Sequence, residues 1–423
     1  MPVVPRLRNT SQNQRYSRGF LDEHGSTPTQ KSAASGTAYG PLPWTLGSSV
    51  ETPSDVLHPV EMSRFVLEDL RHPIVQAPMA GGPSTPALAA AVCGAGGLGF
   101  LAAGYTSVDV VERELAELRT LTPAGVPYGV NLFVPSGAAD LAEVRTYADG
   151  LRIEAERRGV ALGEPRWEDD GYAEKVDLLC QQRVPVVSLA FGCPSPSVVD
   201  RFHQSGSAVW VTITTVAEAV AAQRVGADAL VVQGVEAGGH RGGFDDIQPG
   251  DVGLLALLQL VHAAVGRDVP LIAAGGLSTG RGVAAALACG AAAAQLGTAF
   301  LLCPEAGTVP AHRAAISHGD ARTALTRAFT GRTARGIVNR FLLEHPDAPS
   351  AYPEVHHLTA PLRAAARNQG DTEGFHLWAG QAYPLAEPVP ATDLVLRLAA
   401  ETRDALNEAE GRTHEPPSRG SVG

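Results

Sequence analysis

From His72 to Leu296 the chain alternates short apolar runs with helical patterns, and this alternation restricts the fold more than any other feature. The apolar runs fall at residues 73–79, 98–102, 128–133, 184–189, 208–213, 229–233, 270–274 and 292–296. They are rich in Val, Leu, Ile and Ala, and read as strands buried by what packs on them. A helix is expected at 85–93, opened by Pro86. Another is expected at 107–120, with Ser107 at its start and Val110, Val111, Leu115 and Leu118 on one face. Others follow at 195–203, at 215–225 behind Thr215, at 252–265, and up to Cys289 behind Ser278 or Thr279. Eight strand–helix units within about 240 residues imply an α/β protein with a closed parallel sheet, the (β/α)8 or TIM barrel. An open doubly wound sheet is the competitor.

Two stretches do not fit the repeat. Residues 135–183 carry more helix than one crossover needs, which marks an insertion. Residues from about 304 to 390 read as a less regular helical region with several His, Pro and Arg residues, and a helix follows at about 392–406. Residues 1–58 are rich in Ser, Thr, Pro, Gly and Gln. They cannot bury enough apolar surface to offset the entropy of ordering, so a disordered N-terminal tail is expected. Met62 precedes Ser63-Arg64-Phe65-Val66-Leu67 and is a sensible start for the domain, which would occupy 62–410 with a flexible tail at 411–423.

With 423 residues, 44% of them hydrophobic, the chain can fill one large core. A formal net charge of -11 argues against sequence-independent binding of nucleic acid. No run has the length and apolar character of a membrane span, and the N-terminus shows no apolar signal segment. The five cysteines form no Cys-x-x-Cys pair and read as reduced thiols of a cytoplasmic protein.

In such a barrel the C-terminal strand ends converge on one face, and that face carries the active site. Here those ends hold Ala77-Pro78-Met79, Asn131, Ser188 to Gly192, Gln233, Ala274-Gly275-Gly276 and Gln295-Leu296-Gly297-Thr298. The sixth run leads into a loop with five glycines, His240 and Arg241. Glycine so dense means a backbone that turns tightly or comes very close to something. Glycines after the last two strands match the usual phosphate site of barrels, where backbone N–H groups face an anion. Together with Gly238 and Gly239 they point to a phosphate-bearing cofactor. The amides of Asn131, Gln233 and Gln295 can bond the polar edge of a flat heterocycle, or buried backbone at the strand ends. His240 is the candidate for moving a proton or stabilising negative charge. No metal-ligand spacing, Gly-x-Ser-x-Gly elbow or Walker A loop occurs, and neither Lys31 nor Lys175 falls at a strand end. The pair His356-His357 lies in a Pro-rich irregular region and reads as surface.

In order, these pieces resemble the nitronate monooxygenase family of FMN-dependent (β/α)8 enzymes. The matching segments are Gln76-Ala77-Pro78-Met79-Ala80-Gly81-Gly82, Gly96-Gly97-Leu98-Gly99, Asn131-Leu132-Phe133 and Val187-Ser188-Leu189-Ala190-Phe191-Gly192. Further on come Glu236-Ala237-Gly238-Gly239-His240-Arg241-Gly242, Ala274-Gly275-Gly276-Leu277, Gln295-Leu296-Gly297-Thr298-Ala299-Phe300 and Trp378-Ala379-Gly380-Gln381. The resemblance implies that FMN is held by Ala77, Pro78, Met79, Asn131, Gln233, Gly238, Gly239, Gly275, Gly276, Gln295, Leu296, Gly297 and Thr298, with His240 catalytic. It implies oxidation of an alkyl nitronate by O2 to a carbonyl compound and nitrite, without NAD(P)H. Propionate 3-nitronate is the usual substrate, and its oxidation is a detoxification. The expected assembly is a monomer or homodimer with no nucleic-acid or membrane partner. The flavin-dependent enoyl-acyl-carrier-protein reductases share the Glu-Ala-Gly-Gly-His loop and are the alternative. Trp378-Ala379-Gly380-Gln381 and Asn131-Leu132-Phe133 fit the monooxygenases better.

Overall fold

The computed structural model describes residues 64–413. The expectations for residues 1–58 and for Met62 lie outside the described residues. Six parallel strands come first: β1 (Ile74–Gln76), β2 (Phe100–Ala102), β3 (Gly129–Phe133), β4 (Val186–Ala190), β5 (Ala208–Ile213) and β6 (Ala229–Gln233). After the short β7 (Gly239–His240), β8 (Leu271–Ala274) and β9 (Ala293–Leu296) complete the eight-stranded sheet. Its order is β1-β9-β8-β6-β5-β4-β3-β2, parallel throughout. The two ends meet at Leu98. Val75 bridges to it, the Leu98 N–H donates to Ile74 O (3.0 Å), and the Gln76 N–H donates to Leu98 O (2.9 Å). The expected barrel is therefore formed, with no exposed sheet edge left to pair.

Helices α1 (Pro86–Gly94) and α2 (Val108–Leu121) connect the first three strands. Then α3 (Leu141–Gly150), α4 (Arg152–Arg158) and α5 (Tyr172–Gln181) fill the expected insertion. Helices α6 (Pro196–Ser205), α7 (Val216–Arg224), α8 (Leu254–Val265) and α9 (Gly280–Ala288) complete the crossovers. Their starts follow from capping. The Thr85, Ser195, Thr215 and Thr279 hydroxyls accept the first free N–H groups of α1, α6, α7 and α9. Thr279 rather than Ser278 does this for α9. Ser107 stands at the N-cap of α2 without a side-chain bond.

Alternate strand residues face inward. Phe100, Val186, Trp210, Val231 and Ile272 form one buried cluster, on which Phe65, Leu67 and Leu70 pack. Phe100, Val186, Ala229 and Ala293 are the first residues of their strands, so this cluster fills the N-terminal half of the barrel. The other faces of the strands carry Val130, Leu132, Val187, Leu189, Val211 and Leu230, which meet Leu115, Leu179, Phe202, Leu257 and Val261 of the helices. Each such buried side chain contributes roughly 1.5–3 kcal/mol of apolar transfer energy.

After β9 come α10 (Pro310–His318), β10 (Thr323–Thr326), β11 (Ala334–Ile337), α11 (Arg340–Glu344), α12 (Glu354–Asn368) and α13 (Ala391–Thr413). The expected less regular helical region is present, and two short strands lie within it. β10, β11 and β7 form an antiparallel three-stranded sheet, with Ala334 opposite His240 and Arg335 opposite Gly239. α13 lays Leu394, Val395 and Leu398 on Leu88 and Val92 of α1 and Val283 of α9. It extends past the expected end at 406, to Thr413, so the first residues of the expected C-terminal tail are helical.

Candidate active site

The N-terminal half of the barrel is packed, and a cavity of about 460 Å³ opens at the other end of the strands. Ala77, Pro78, Met79, Asn131, Gln233, Gly238, Gly239, His240, Gly275, Gly276, Gln295, Gly297 and Thr298 all line it. Leu296 does not. Its side chain is 1% exposed in the core, and its carbonyl accepts the Ala77 N–H at 2.8 Å.

The glycine loop is held shut from beneath by Arg241, 1% exposed. Its Nη1 donates to Gln233 Oε1 (3.0 Å) and Gly234 O (2.6 Å), and its Nη2 to Gln233 O (3.0 Å) and Gly250 O (3.1 Å). Gln233 Oε1 also accepts the Gly242 N–H (2.9 Å), and its Nε2 donates to His240 O (3.1 Å). The Gln233 amide on the cavity wall is thus committed to shaping the loop. Glycine is required for close approach: a Cβ on Gly238 would lie 2.4 Å from Gly380 N. Gly239 has φ +74°, the left-handed region. The expected late segment Trp378-Ala379-Gly380-Gln381 therefore lies directly on the loop, and the Gln381 N–H donates to Glu236 O (3.0 Å).

His240 is set by β7, whose partner β11 fixes its register. Its Nε2 lies 2.9 Å from Thr330 Oγ1. The ring is boxed by Phe191, Trp378 and Tyr352, with centroids at 5.7, 5.4 and 6.1 Å. Burial, with the Arg332 and Arg363 guanidiniums adding repulsion, pushes its pKa down to about 3, so the ring is neutral at pH 7. Phe191 has φ +75°, a strained geometry for a side chain of that size, and Arg332 stacks over its ring at 4.0 Å.

The other polar groups at the strand ends differ in whether the protein meets them. Gln295 Oε1 is buried without a partner. No described loop or side-chain acceptor takes the N–H of Gly275, Gly276 or Gly297. Asn131 Nδ2 donates to Ser188 Oγ (2.9 Å) and Ser188 O (3.2 Å).

The far wall was not foreseen. It comes from α12 and its surroundings: Thr330, His356, Arg363, Arg367, His376 and, from α10, His312. His356 corrects its expected surface position. It stacks on Tyr105 with centroids 4.4 Å apart and planes at 1°, and burial pushes it down to about 2. His357 instead meets Glu168 at 3.1 Å. Among the described residues no Asp or Glu lines the cavity, whereas two arginines do. The described residues hold no cluster of three or more His, Cys, Asp or Glu able to bind a metal, and none of their helices is long and apolar enough to cross a membrane.

The cavity therefore offers an uncommitted acceptor, free backbone donors at two strand ends, a neutral histidine and a positive wall. Comparison with known proteins agrees. Residues 65–401 match the family model described as nitronate monooxygenase. A nitronate monooxygenase of Paraburkholderia phytofirmans is 39% identical over 350 residues, 79% of this chain and 93% of the relative. A probable nitronate monooxygenase of Staphylococcus saprophyticus is 36% identical over 349 residues, 81% of this chain and 97% of the relative. The crystal structure of a nitroalkane oxidase from Streptomyces ansochromogenes superposes with a TM-score of 0.78 at 50% identity, covering 81% of this chain and 99% of that one. Matched to the family model from residue 65 to 401 and to relatives at 36–39% identity over most of their length, the chain is an enzyme of the nitronate monooxygenase family.

Proposed function

We propose that this enzyme holds FMN at the C-terminal end of its barrel and oxidises alkyl nitronates with O2 to a carbonyl compound and nitrite. The residues present fit that cofactor. Gln295 Oε1, buried and unpartnered, calls for a donor such as a heterocyclic N–H. The free N–H groups of Gly275, Gly276 and Gly297 suit a phosphate. Ala77, Pro78 and Met79 supply a backbone wall, kept in place by the Met79 N–H donating to Ser84 Oγ (2.8 Å). Bound there, the flavin would supply the electron acceptor and the site of reaction with O2.

The observation that carries the reading is His240: neutral, cavity-facing and beside the Arg332 and Arg363 guanidiniums. Thr330 Oγ1 lies 3.3 Å from Arg332 O, to which its hydroxyl can donate. It then accepts the proton on His240 Nε2 and leaves Nδ1 as the free lone pair. A ring whose pKa is so low is a poor proton acceptor. It cannot readily strip a carbon acid, and a nitronate, already an anion, does not ask it to. His240 instead orients the anionic nitro group, while the Arg363 charge favours the anion over its neutral parent acid. Phe191, Tyr352 and Trp378 exclude water around it.

The test is to release and identify the bound flavin, then to assay O2 uptake and nitrite from a nitronate and from its parent nitroalkane. Nitrite from the nitronate without added NADH supports the proposal. Steady NADH oxidation with no response to nitronate would replace it by the reductase alternative.

A further inference from the structure

The three carbonyls that follow His240 in the chain are all taken by two residues that stack on each other. Arg332 Nε donates to Arg241 O (3.1 Å), the Phe191 N–H to Gly242 O (2.9 Å) and Arg332 Nη2 to Gly243 O. The Arg332 guanidinium lies over the Phe191 ring, 4.0 Å from its centroid, and that ring meets His240 at 5.7 Å. The turn is closed from the other side as well. A Cβ on Gly242 would lie 2.5 Å from Thr212 Cγ2 of β5, and one on Gly243 2.2 Å from Thr214 Oγ1. The backbone behind His240 is thus pressed between the end of β5 and the Arg332–Phe191 pair.

Arg332 also bears on the partner of the ring. Thr330 Oγ1, 2.9 Å from His240 Nε2, has Arg332 O at 3.3 Å and receives the Arg332 N–H at 3.4 Å. Its side chain therefore holds one end of the His240–Thr330 contact and its backbone the other. Arg241 and Arg335 brace the same loop elsewhere, at Gln233, Gly234 and Gly250 and at Val235. Arg332 is 3% exposed, and among the described residues no carboxylate lies within ion-pair distance of it. Asp246 is committed to Arg327 (2.9 Å) and to the Thr333 N–H (2.9 Å). The planar fork spans two carbonyls and covers an aromatic face at once, which a lysine cannot copy.

We infer that Arg332, which does not line the cavity, is a positioning residue for His240. Its guanidinium fixes the backbone that carries the ring, and its carbonyl fixes the hydroxyl that accepts the Nε2 proton, so that one tautomer in one place faces the cavity. This rests on the nitronate reading above, in which His240 orients the nitro group. Misplacing such a group by an ångström costs up to about a hundredfold in rate.

The test uses the flavin-loaded enzyme and the variants R332Q and R332K. Flavin content, kcat and KM for propionate 3-nitronate are measured, together with the nitrogen NMR signals of the His240 ring, assigned by their loss in His240→Ala. The wild type is expected to show one tautomer, with the proton on Nε2. R332Q should keep its flavin, lose about tenfold or more in kcat with little change in KM, and show a mixture of ring tautomers. R332K should fall between the two. A wild-type ring already mixed, or protonated on Nδ1, overturns the proposal without any variant. So does R332Q with wild-type kcat and ring signals, or one in which KM rises or flavin is lost while kcat holds, since Arg332 would then serve substrate or cofactor. If R332Q does not fold, R332K decides, and wild-type kcat and ring signals in it overturn the proposal. Absence of nitrite from the wild type would sink the reaction, and the ring signals would then judge Arg332 alone.

Discussion

His240 Nε2 lies 2.9 Å from Thr330 Oγ1, a contact that joins residues 90 positions apart. Thr330 precedes β11, and β11 pairs with the strand that carries His240, so one small sheet sets both partners. Thr330→Val removes the acceptor and frees the ring to rotate or change tautomer. Nitrite formation should fall about tenfold, the value of one hydrogen bond, while Thr330→Ser keeps most of it. His240→Ala should retain flavin and lose most turnover. Unchanged nitrite release from His240→Ala would exclude its catalytic role.

Gln295→Leu should move two properties in opposite directions. The buried Oε1 has no partner in the protein itself. Removing it should stabilise the flavin-free protein by about 1–3 kcal/mol in a urea melt, because an unmet acceptor is lost. Flavin affinity should drop about tenfold in a titration of the same variant. A fall in both would mean that the amide serves the fold alone.

Gly238→Ala places a methyl group 2.4 Å from Gly380 N and 2.5 Å from the carbonyl carbon of Ala379. Backbone on both sides cannot yield as a flexible side chain would. The loop and the late segment must part, at a cost of roughly 1–3 kcal/mol. Flavin retention on gel filtration is the readout. Wild-type retention and stability would show that the two segments separate freely.

Stability should fall on the acid side. Burial holds His240, His312 and His356 at about 3, about 4 and about 2, and His376 well below its ordinary value. An unfolded histidine titrates near 6.5. Between that value and the folded ones, the unfolded chain binds protons that the folded chain refuses, so stability is lost as pH falls through this window. Each ring contributes up to about 1.4 kcal/mol per pH unit. Urea midpoints at pH 7.5, 6 and 5 should drop steeply below 6. A flat profile would contradict the burial of these rings.

Much of this was legible in the residues. β5 and β6 run over the expected 208–213 and 229–233, because their apolar runs are continuous and bounded by turns. The strand ends reached the cavity because a parallel barrel leaves them no other place. What escaped was long-range. The four-residue β10 and β11, Thr-Ala-Leu-Thr and Ala-Arg-Gly-Ile, have no period to detect, and their pairing with residues 239 and 240 is set by tertiary contact. His356 was misread because Pro361 suggests an irregular segment, yet α12 carries that proline inside it. The left-handed turn at Phe191 had no local marker beyond the glycine that follows it.

The most direct measurement is an anaerobic titration of the purified protein with propionate 3-nitronate, followed by its visible spectrum and by nitrite after air is admitted. The account predicts a yellow protein whose flavin absorbance changes with the nitronate and which releases nitrite once O2 enters. A yellow protein indifferent to the nitronate but bleached by NADH would contradict it, and a colourless one that takes up no FMN would remove the cofactor site altogether.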